Sequence, residues 1–366
     1  MANVTPSMIS NDTAMDDDAM AIATKMHWYS SVVFGIIFMI IGLTGNSLSI
    51  LVWRRKAMRS STGTYLIAQA IADSGLLVFF FIIDTIKMIW PEIAKSYAYG
   101  SFFSYIGYPI FFLFVVCSIW LTVGVTVDRY IQVCWIMHAK TMCNDKKAYT
   151  GIGIITFLCF VINLPHFMTY QPLSADMRGP DEAAFGPTEF GAGEGSMRYE
   201  FWVHCMFLVL VPWASIFILN MLIIRQVSSA NKRMEDKRSS FASEKGKRSE
   251  SQITRILLTV TFTFLVLIAL QCITQCFFML KNAKGDRRII NEAFAVAKLG
   301  IVINSSINFF LYCLTGRRFR KELGHVLFRN CACARSHINM HESSTSDSSR
   351  SSVQKSKSSL TSSSKL

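Results

Sequence analysis

FFSYIGYPIFFLFVVCSIWLTVGVTVDRYIQVC, residues 102–134, carries no charge from Phe102 through Val127 and then meets Asp128 and Arg129. An uncharged apolar run of about 18 residues or more is long enough to cross the hydrocarbon of a bilayer as a helix. Its apolar residues are clustered rather than periodic, so no polar face is left for water. The charges wait at one end, where long side chains can reach an interface.

Outward from this run, six further stretches read the same way. The spacing predicts spans over Trp28–Trp53, Thr64–Trp90, Phe102–Cys134, Ala148–Met168, Phe201–Ile224, Ile253–Leu280 and Ile289–Leu314. Pro91 closes the second. The fold class expected is an all-α membrane protein, a seven-transmembrane helix bundle with a short amphipathic eighth helix. Gly316 should end the seventh span. Beyond it Phe319, Leu323, Val326 and Leu327 recur at helical spacing opposite basic residues, as in a helix lying at a membrane face.

Composition agrees. Of the 366 residues 51% are hydrophobic and 17% charged, against about a quarter charged in soluble domains. The net charge of +13 does not point to nucleic acid, because the Lys and Arg residues flank apolar spans. They collect after the first span (Arg54, Arg55, Lys56, Arg59), the third (Lys140, Lys146, Lys147), the fifth (Lys232, Arg233, Lys237, Arg238, Lys245, Lys247, Arg248) and the seventh (Arg317, Arg318, Arg320, Lys321). These positions fall on one side of the bilayer, and the positive-inside rule makes that side cytoplasmic. The expected organisation is an extracellular amino-terminal tail over 1–27, the bundle over 28–315, the amphipathic helix over 316–330 and a disordered cytoplasmic Ser-rich tail over 331–366. Asn3 and Asn11 open glycosylation acceptor triplets on the outer side. Cys331 and Cys333 follow the amphipathic helix, a juxtamembrane place suited to acylation. Serines of the tail offer sites for kinases. The other cysteines lie mostly within apolar runs, with no metal-ligand spacing among them.

Lipid penalises polar groups, so those kept inside spans are candidates for function. Asp73, with Asn46, Ser118, Asn304, Ser305 and Asn308, forms one set if the bundle brings the residues to one depth. One carboxylate among neutral oxygens suits a small hard cation such as sodium, or a water network. Asp128, Arg129 and Tyr130 form a second set; the acid can neutralise the Arg while both reach toward water, a charge pair that can be held or released. A third set lies near the outer ends: Tyr105, Tyr108, Phe111 and Phe112, then Trp202 and His204, then Gln271 and Gln275 on one face, then Lys298. Polar groups converging in an aromatic cup describe a ligand pocket. Lys298 needs an anion, from Asp84 or from a ligand. Tyr312 needs a partner for its hydroxyl if buried, or an interfacial position.

These residues, in this order, resemble the rhodopsin-like G-protein-coupled receptor family over about Trp28 to Phe328. The motifs are Gly45-Asn46, Ala72-Asp73, Asp128-Arg129-Tyr130, Pro212 and Asn308 through Tyr312. The resemblance implies that Asp73, Ser118, Asn304, Ser305 and Asn308 form an allosteric sodium pocket, that Arg129 contacts a heterotrimeric G protein and that Tyr312 turns inward on activation. It also implies a plasma-membrane location. Arrestin and kinases would then act at the tail. Departures are equally plain. Ser104 stands where the family has a cysteine, and the acidic loop from about Tyr170 to Tyr199 has none, so the outer disulfide is missing and that loop is expected to move more. Its glycines and prolines argue against a long helix. Ile268 and Leu270 replace the sixth-span Trp and Pro, Phe309 replaces the seventh-span Pro, and the fourth span lacks its Trp.

The remaining pattern looks most like invertebrate neuropeptide receptors. An acidic outer loop would attract a basic peptide, whereas Lys298 would suit a carboxylate. The expected function is a receptor for an extracellular ligand, a neuropeptide first, activating G proteins. A chemosensory receptor for a small molecule and a non-signalling decoy or scaffold are the alternatives. A transporter or channel would need internal repeats and broken helices, which are not seen. Enzyme chemistry is not expected, since there is no nucleophile elbow or phosphate loop.

Overall fold

A computed structural model of the chain describes residues 25–235 and 287–328, with residues 259, 261–263, 265–267 and 269 between them. Asn3, Asn11, Gln271, Gln275, Ile268, Leu270, Cys331 and Cys333 lie outside the described residues, as does the side chain of His204.

Five helices among the described residues are long and apolar enough to cross a membrane: Lys25–Trp53, Ser61–Ile89, Tyr97–Cys134, Asp145–Met168 and Met206–Ser229. They are the first to fifth helices below. Residues of the sixth segment are helical wherever described. Asn220 of the fifth helix donates to Thr261 Oγ1 at 2.7 Å, and Trp213 Nε1 donates to the Leu265 carbonyl at 3.2 Å, which places this segment against the fifth helix. The seventh helix runs unbroken over Arg287–Thr315, straight through Phe309. The amphipathic segment forms a helix over Arg317–Leu327, with Phe319 and Glu322 buried.

Local chemistry sets the helix starts. Ser60 caps the second helix by accepting from Gly63 N at 3.1 Å, so that helix begins at Ser61, earlier than the apolar run alone indicates. Asn144 caps the fourth by accepting from Lys147 N at 2.9 Å. The third starts at Tyr97 rather than at Phe102. The fifth begins seven residues before its expected start: Glu194–Trp202 is helical and continues through Val203–Leu210 into Val211–Glu235. Residues 194–211 hold no proline, the helix continues through Pro212, and Arg198 pairs with Glu194 one turn away at 2.8 Å.

The core follows the third helix. Val115, Val116, Ile119 and Leu121 pack with Leu76 and Leu77 of the second helix, Ile216 of the fifth and Val302 of the seventh. Gly45 lets the first and seventh helices touch: a Cβ there would stand 2.8 Å from Cβ of Phe309. The fourth helix turns Ile154, Phe157 and Leu158 outward, each more than half exposed. That face suits lipid and would be an aggregation hazard in water.

Among the described residues four stretches are π-helical, all at the helix ends that the charge bias assigns to the outside: Tyr29–Phe34, Phe81–Thr85, Phe103–Gly107 and Val203–Leu210. A π-turn rotates every later side chain relative to the α register and leaves backbone carbonyls for other donors. Tyr99 uses two of them, donating to the carbonyls of Ile82 and Ile83 at 3.1 and 3.3 Å.

Candidate functional site

Two polar regions occupy the bundle. In the inner one, the Asp73 side chain is fully buried. Its Oδ1 accepts from the Ser118 hydroxyl at 2.5 Å and its Oδ2 from the Asn308 amide at 2.9 Å. One carboxylate thus joins the second, third and seventh helices. Asn46 adds the first helix by donating to the Ser305 carbonyl at 3.1 Å. Asn304 and Ser305 are buried in the same part of the seventh helix. Below Ser118, Gln69 donates to Thr122 Oγ1 at 2.9 Å, continuing the polar seam between the second and third helices. The oxygen set of Asp73, Ser118 and Ser305 is hard and compact, the donor chemistry a small cation such as sodium requires.

At the end of the third helix, Asp128 and Arg129 are each only 6% exposed, so they do not reach for water as expected. Nor do they pair directly. Asp128 Oδ2 accepts from Thr62 Oγ1 at 2.5 Å and from Gln132 Nε2 at 2.8 Å, while Arg129 Nη1 donates to Gln132 Oε1 at 2.9 Å. Gln132 therefore stands between acid and base. The reason is geometric: on a helix, residues three and four apart share a face, whereas adjacent residues point apart. The Tyr130 ring stands tilted to that of Trp135, with centroids 6.1 Å apart. Tyr312 is buried, not interfacial, with its ring edge-on to Trp53 at 5.7 Å. The loop before the second helix is joined to the start of the fourth by Arg59 and Asp145 at 2.7 Å.

The outer region is built around aromatic rings. Tyr108 and Phe112 meet at 4.8 Å, and Phe111 stands edge-on to Phe112 at 5.3 Å. Tyr105 is 55% exposed and faces away from this cup. His166 sits inside it, 1% exposed, stacked on Phe112 at 4.5 Å and flanked by Tyr108 and Tyr199. The sequence reading missed His166; its one available signal was an ionisable residue just after Pro165, where the fourth span closes.

The loop after the fourth helix is a small antiparallel hairpin, β1 (Tyr170–Pro172) against β2 (Phe185–Pro187), with Gln171 opposite Gly186. In the absence of a disulfide it is tied by other means. Phe185 stacks on Phe103 of the third helix at 3.9 Å, one residue from Ser104. Ala184 N donates to the Ala94 carbonyl at 2.7 Å, and Arg178 donates to the Lys95 carbonyl at 2.6 Å. Lys95 bridges Asp181 at 2.9 Å and Glu92 at 3.0 Å, and these two hydrogen bonds raise its pKa above the ordinary lysine value. Gly100 makes the approach feasible, because a Cβ there would collide with the Ala184 carbonyl.

Beside the cup, Lys298 finds its anion within the chain: its Nζ lies 3.1 Å from Asp84 Oδ1. Lys87, which sequence reading passed over, lies 3.2 Å from the same oxygen. Its place three residues after Asp84 was a readable sign. Ser31 of the first helix donates to Asp84 Oδ2 at 2.6 Å. Asp84 and Ser31 both sit on π-helical stretches, which turn them toward each other.

A membrane bundle with a buried acid at its centre, a latched arginine at one end and aromatic and charged clusters at the other has the layout of a seven-helix receptor. The family model described as 7 transmembrane receptor (rhodopsin family) matches residues 45–312. The chain belongs to that family and is a multi-pass membrane protein. It is similar to the FMRFamide receptor of Drosophila melanogaster, 26% identical over 314 residues, which are 82% of this chain and 54% of that protein. It is similar also to the sex peptide receptor of Drosophila melanogaster, 27% identical over 323 residues, covering 79% of this chain and 70% of the relative. An FMRFamide peptide receptor of Caenorhabditis elegans is 23% identical over 327 residues, covering 83% and 70%. The chain thus spans about half the length of the first of these and more of the other two.

Proposed function

We propose that this receptor is activated by an extracellular peptide and passes the signal to a heterotrimeric G protein across the plasma membrane, with its amino terminus outside. The observation that carries this reading is the likeness to receptors named for peptides, over about four fifths of the chain. The outer region supports it: aromatic rings beside charged groups suit a ligand that has both apolar and ionic parts.

The mechanism follows from the two polar regions. The ligand binds the active arrangement of the cavity more tightly than the resting one and shifts the population. The Asp73 network is central because one side chain joins three helices, so displacement of the seventh helix is felt by the third. At the far end, Gln132 holds Arg129 in the resting arrangement. Release of that hydrogen bond helps to turn the guanidinium toward the G protein, and Tyr312 leaves Trp53 to stabilise the opened face. Moving such an equilibrium from 1:99 to 99:1 needs roughly 5.5 kcal/mol of differential affinity, a few charge-assisted contacts' worth. Asp73, Ser118, Asn304, Ser305 and Asn308 would hold a sodium ion that favours the resting arrangement. Glycans at Asn3 and Asn11, acylation at Cys331 and Cys333, and kinases and arrestin at the Ser-rich tail complete the reading.

The test is nucleotide exchange on purified G proteins, driven by FMRFamide-type peptides applied to membranes containing the full chain. Peptide-dependent exchange is the expected result. Specific peptide binding without exchange on any G-protein class would leave a non-signalling receptor instead.

A further inference from the structure

The charges around Asp84 do not balance. Its Oδ1 is shared by Lys298 and Lys87, at 3.1 and 3.2 Å, and its Oδ2 is taken by Ser31 at 2.6 Å. Among the described residues no second carboxylate joins the cluster. The other titratable groups facing it are His27, whose Nδ1 stands 3.5 Å from Ser31 Oγ, and Tyr99, which donates to the neighbouring carbonyls of the second helix. Neither brings a negative charge near neutral pH. Two ammonium groups therefore share one carboxylate, in a setting where weak screening makes their mutual repulsion count.

The cluster is built rather than incidental. Three helices supply it, and π-turns in two of them aim Ser31 and Asp84 at each other. Thr85 reinforces the contact by donating to the Ser31 carbonyl at 2.8 Å. The anion is sealed and the cations are not: the Asp84 side chain is 6% exposed, that of Lys87 26% and that of Lys298 34%. Each ammonium has three donors, and Asp84 uses one of each. Lys87 also stands 5.8 Å from the centre of the Phe103 ring, which stacks on Phe185 of the hairpin, so the surplus charge borders the outer aromatic cluster.

We propose that Lys87 and Lys298 form a subsite for one carboxylate group, with Asp84 as the fixed counter-ion that holds the two ammonium groups in place. One surplus positive charge calls for one negative charge, which favours a carboxylate over a phosphate. The proposal rests on reading the outer cavity as the ligand site and adds to it the chemistry of one ligand group. The carboxylate comes either from an extracellular ligand or from Asp16, Asp17 and Asp18, which precede the first helix in this chain.

The experiment is a thermal-unfolding titration of the purified full chain in detergent, at constant ionic strength, with N-acetylglycine as probe and N-acetylglycinamide as its neutral match. The acid is expected to raise the unfolding midpoint saturably, and the amide to leave it unchanged. Lys87→Gln and Lys298→Gln, each of which leaves a balanced ion pair, should weaken the acid's apparent affinity about tenfold or more. Asp84→Asn should strengthen it; if that variant does not fold, the lysine variants decide alone. Equal shifts from acid and amide, or full retention of the acid's effect in both lysine variants, would overturn the proposal. Replacing Asp16, Asp17 and Asp18 by Asn separates the sources: tighter probe binding means that the chain's own segment competes for the subsite, and unchanged binding means that the carboxylate is external. No G protein takes part, so failure of this subsite and failure of the signalling reading are seen separately.

Discussion

The inner and outer polar regions of this bundle solve the same problem in different ways. Around Asp73 the helices keep α geometry, and one carboxylate is satisfied by two neutral donors from two other helices. Around Asp84 the first and second helices widen into π-turns, and the carboxylate faces two ammonium groups and a hydroxyl. The inner network depends on depth: residues at one level of regular helices meet because the rise per residue is fixed. The outer cluster depends on local departures from that regularity, and on a loop tied by ring stacking and hydrogen bonds where no cysteine is available. One bundle thus holds a regular polar network at one level and a network built on π-turns at another.

The comparison is tested hardest at its inner limit. Arg129→Ala should preserve peptide binding while exchange falls roughly 100-fold, the scale expected from losing one charge-assisted contact of about 3 kcal/mol. A variant that still exchanges would show that the end of the third helix no longer performs the family's task. Next in size is Asp84→Ala, which strands two ammonium groups. Complete burial of a broken pair costs about 3–5 kcal/mol, and partial exposure of both lysines reduces this to about 2 kcal/mol; thermal denaturation in detergent measures it. Asp73→Asn keeps a hydrogen-bonding shape but removes the charge. It should abolish any difference in peptide affinity between sodium and potassium buffers, a difference expected to be several-fold in the unaltered receptor. Smaller still is the coupling between Phe103 and Phe185. A double-mutant cycle to Ala should give about 1 kcal/mol beyond lost area, the range for stacked aromatic pairs. A value near zero would mean that the Lys95, Arg178 and Ala184 contacts hold the hairpin without help from the rings. Gln132→Leu should raise exchange without peptide only about threefold, since it removes one hydrogen bond of roughly 1 kcal/mol from Arg129.

Much of this was legible in the chain. Uncharged runs located the first five spans and the seventh, with the starts of the third and fifth read five and seven residues late, and Ser60 and Asn144 were present as caps for finer placement. Asp73, Ser118 and Asn308 could be grouped because polar residues inside apolar runs are rare enough to seek one another. The separation of Asp128 from Arg129 by Gln132 was less visible, although the i, i+4 spacing of Asp128 and Gln132 and the i, i+3 spacing of Arg129 and Gln132 were open to inspection. His166 and Lys87 were missed because their roles depend on partners distant in sequence: Phe112 and Tyr199 for one, Lys298 for the other. The early start of the fifth helix at Glu194 was obscured by Gly191, Gly193 and Gly195, the last of which lies within the helix.

Sequence alone determined that this chain lives in a bilayer, how many times it crosses and which polar residues lie at its centre, because lipid thickness and the penalty on charge act on each segment independently. Tertiary structure alone decided that Lys87 and Lys298 share Asp84, that Gln132 stands between Asp128 and Arg129, and that Phe103 and Phe185 stand in for a missing disulfide. Those outcomes depend on π-turn rotation and on which helices become neighbours, and neither quantity is carried by any single segment.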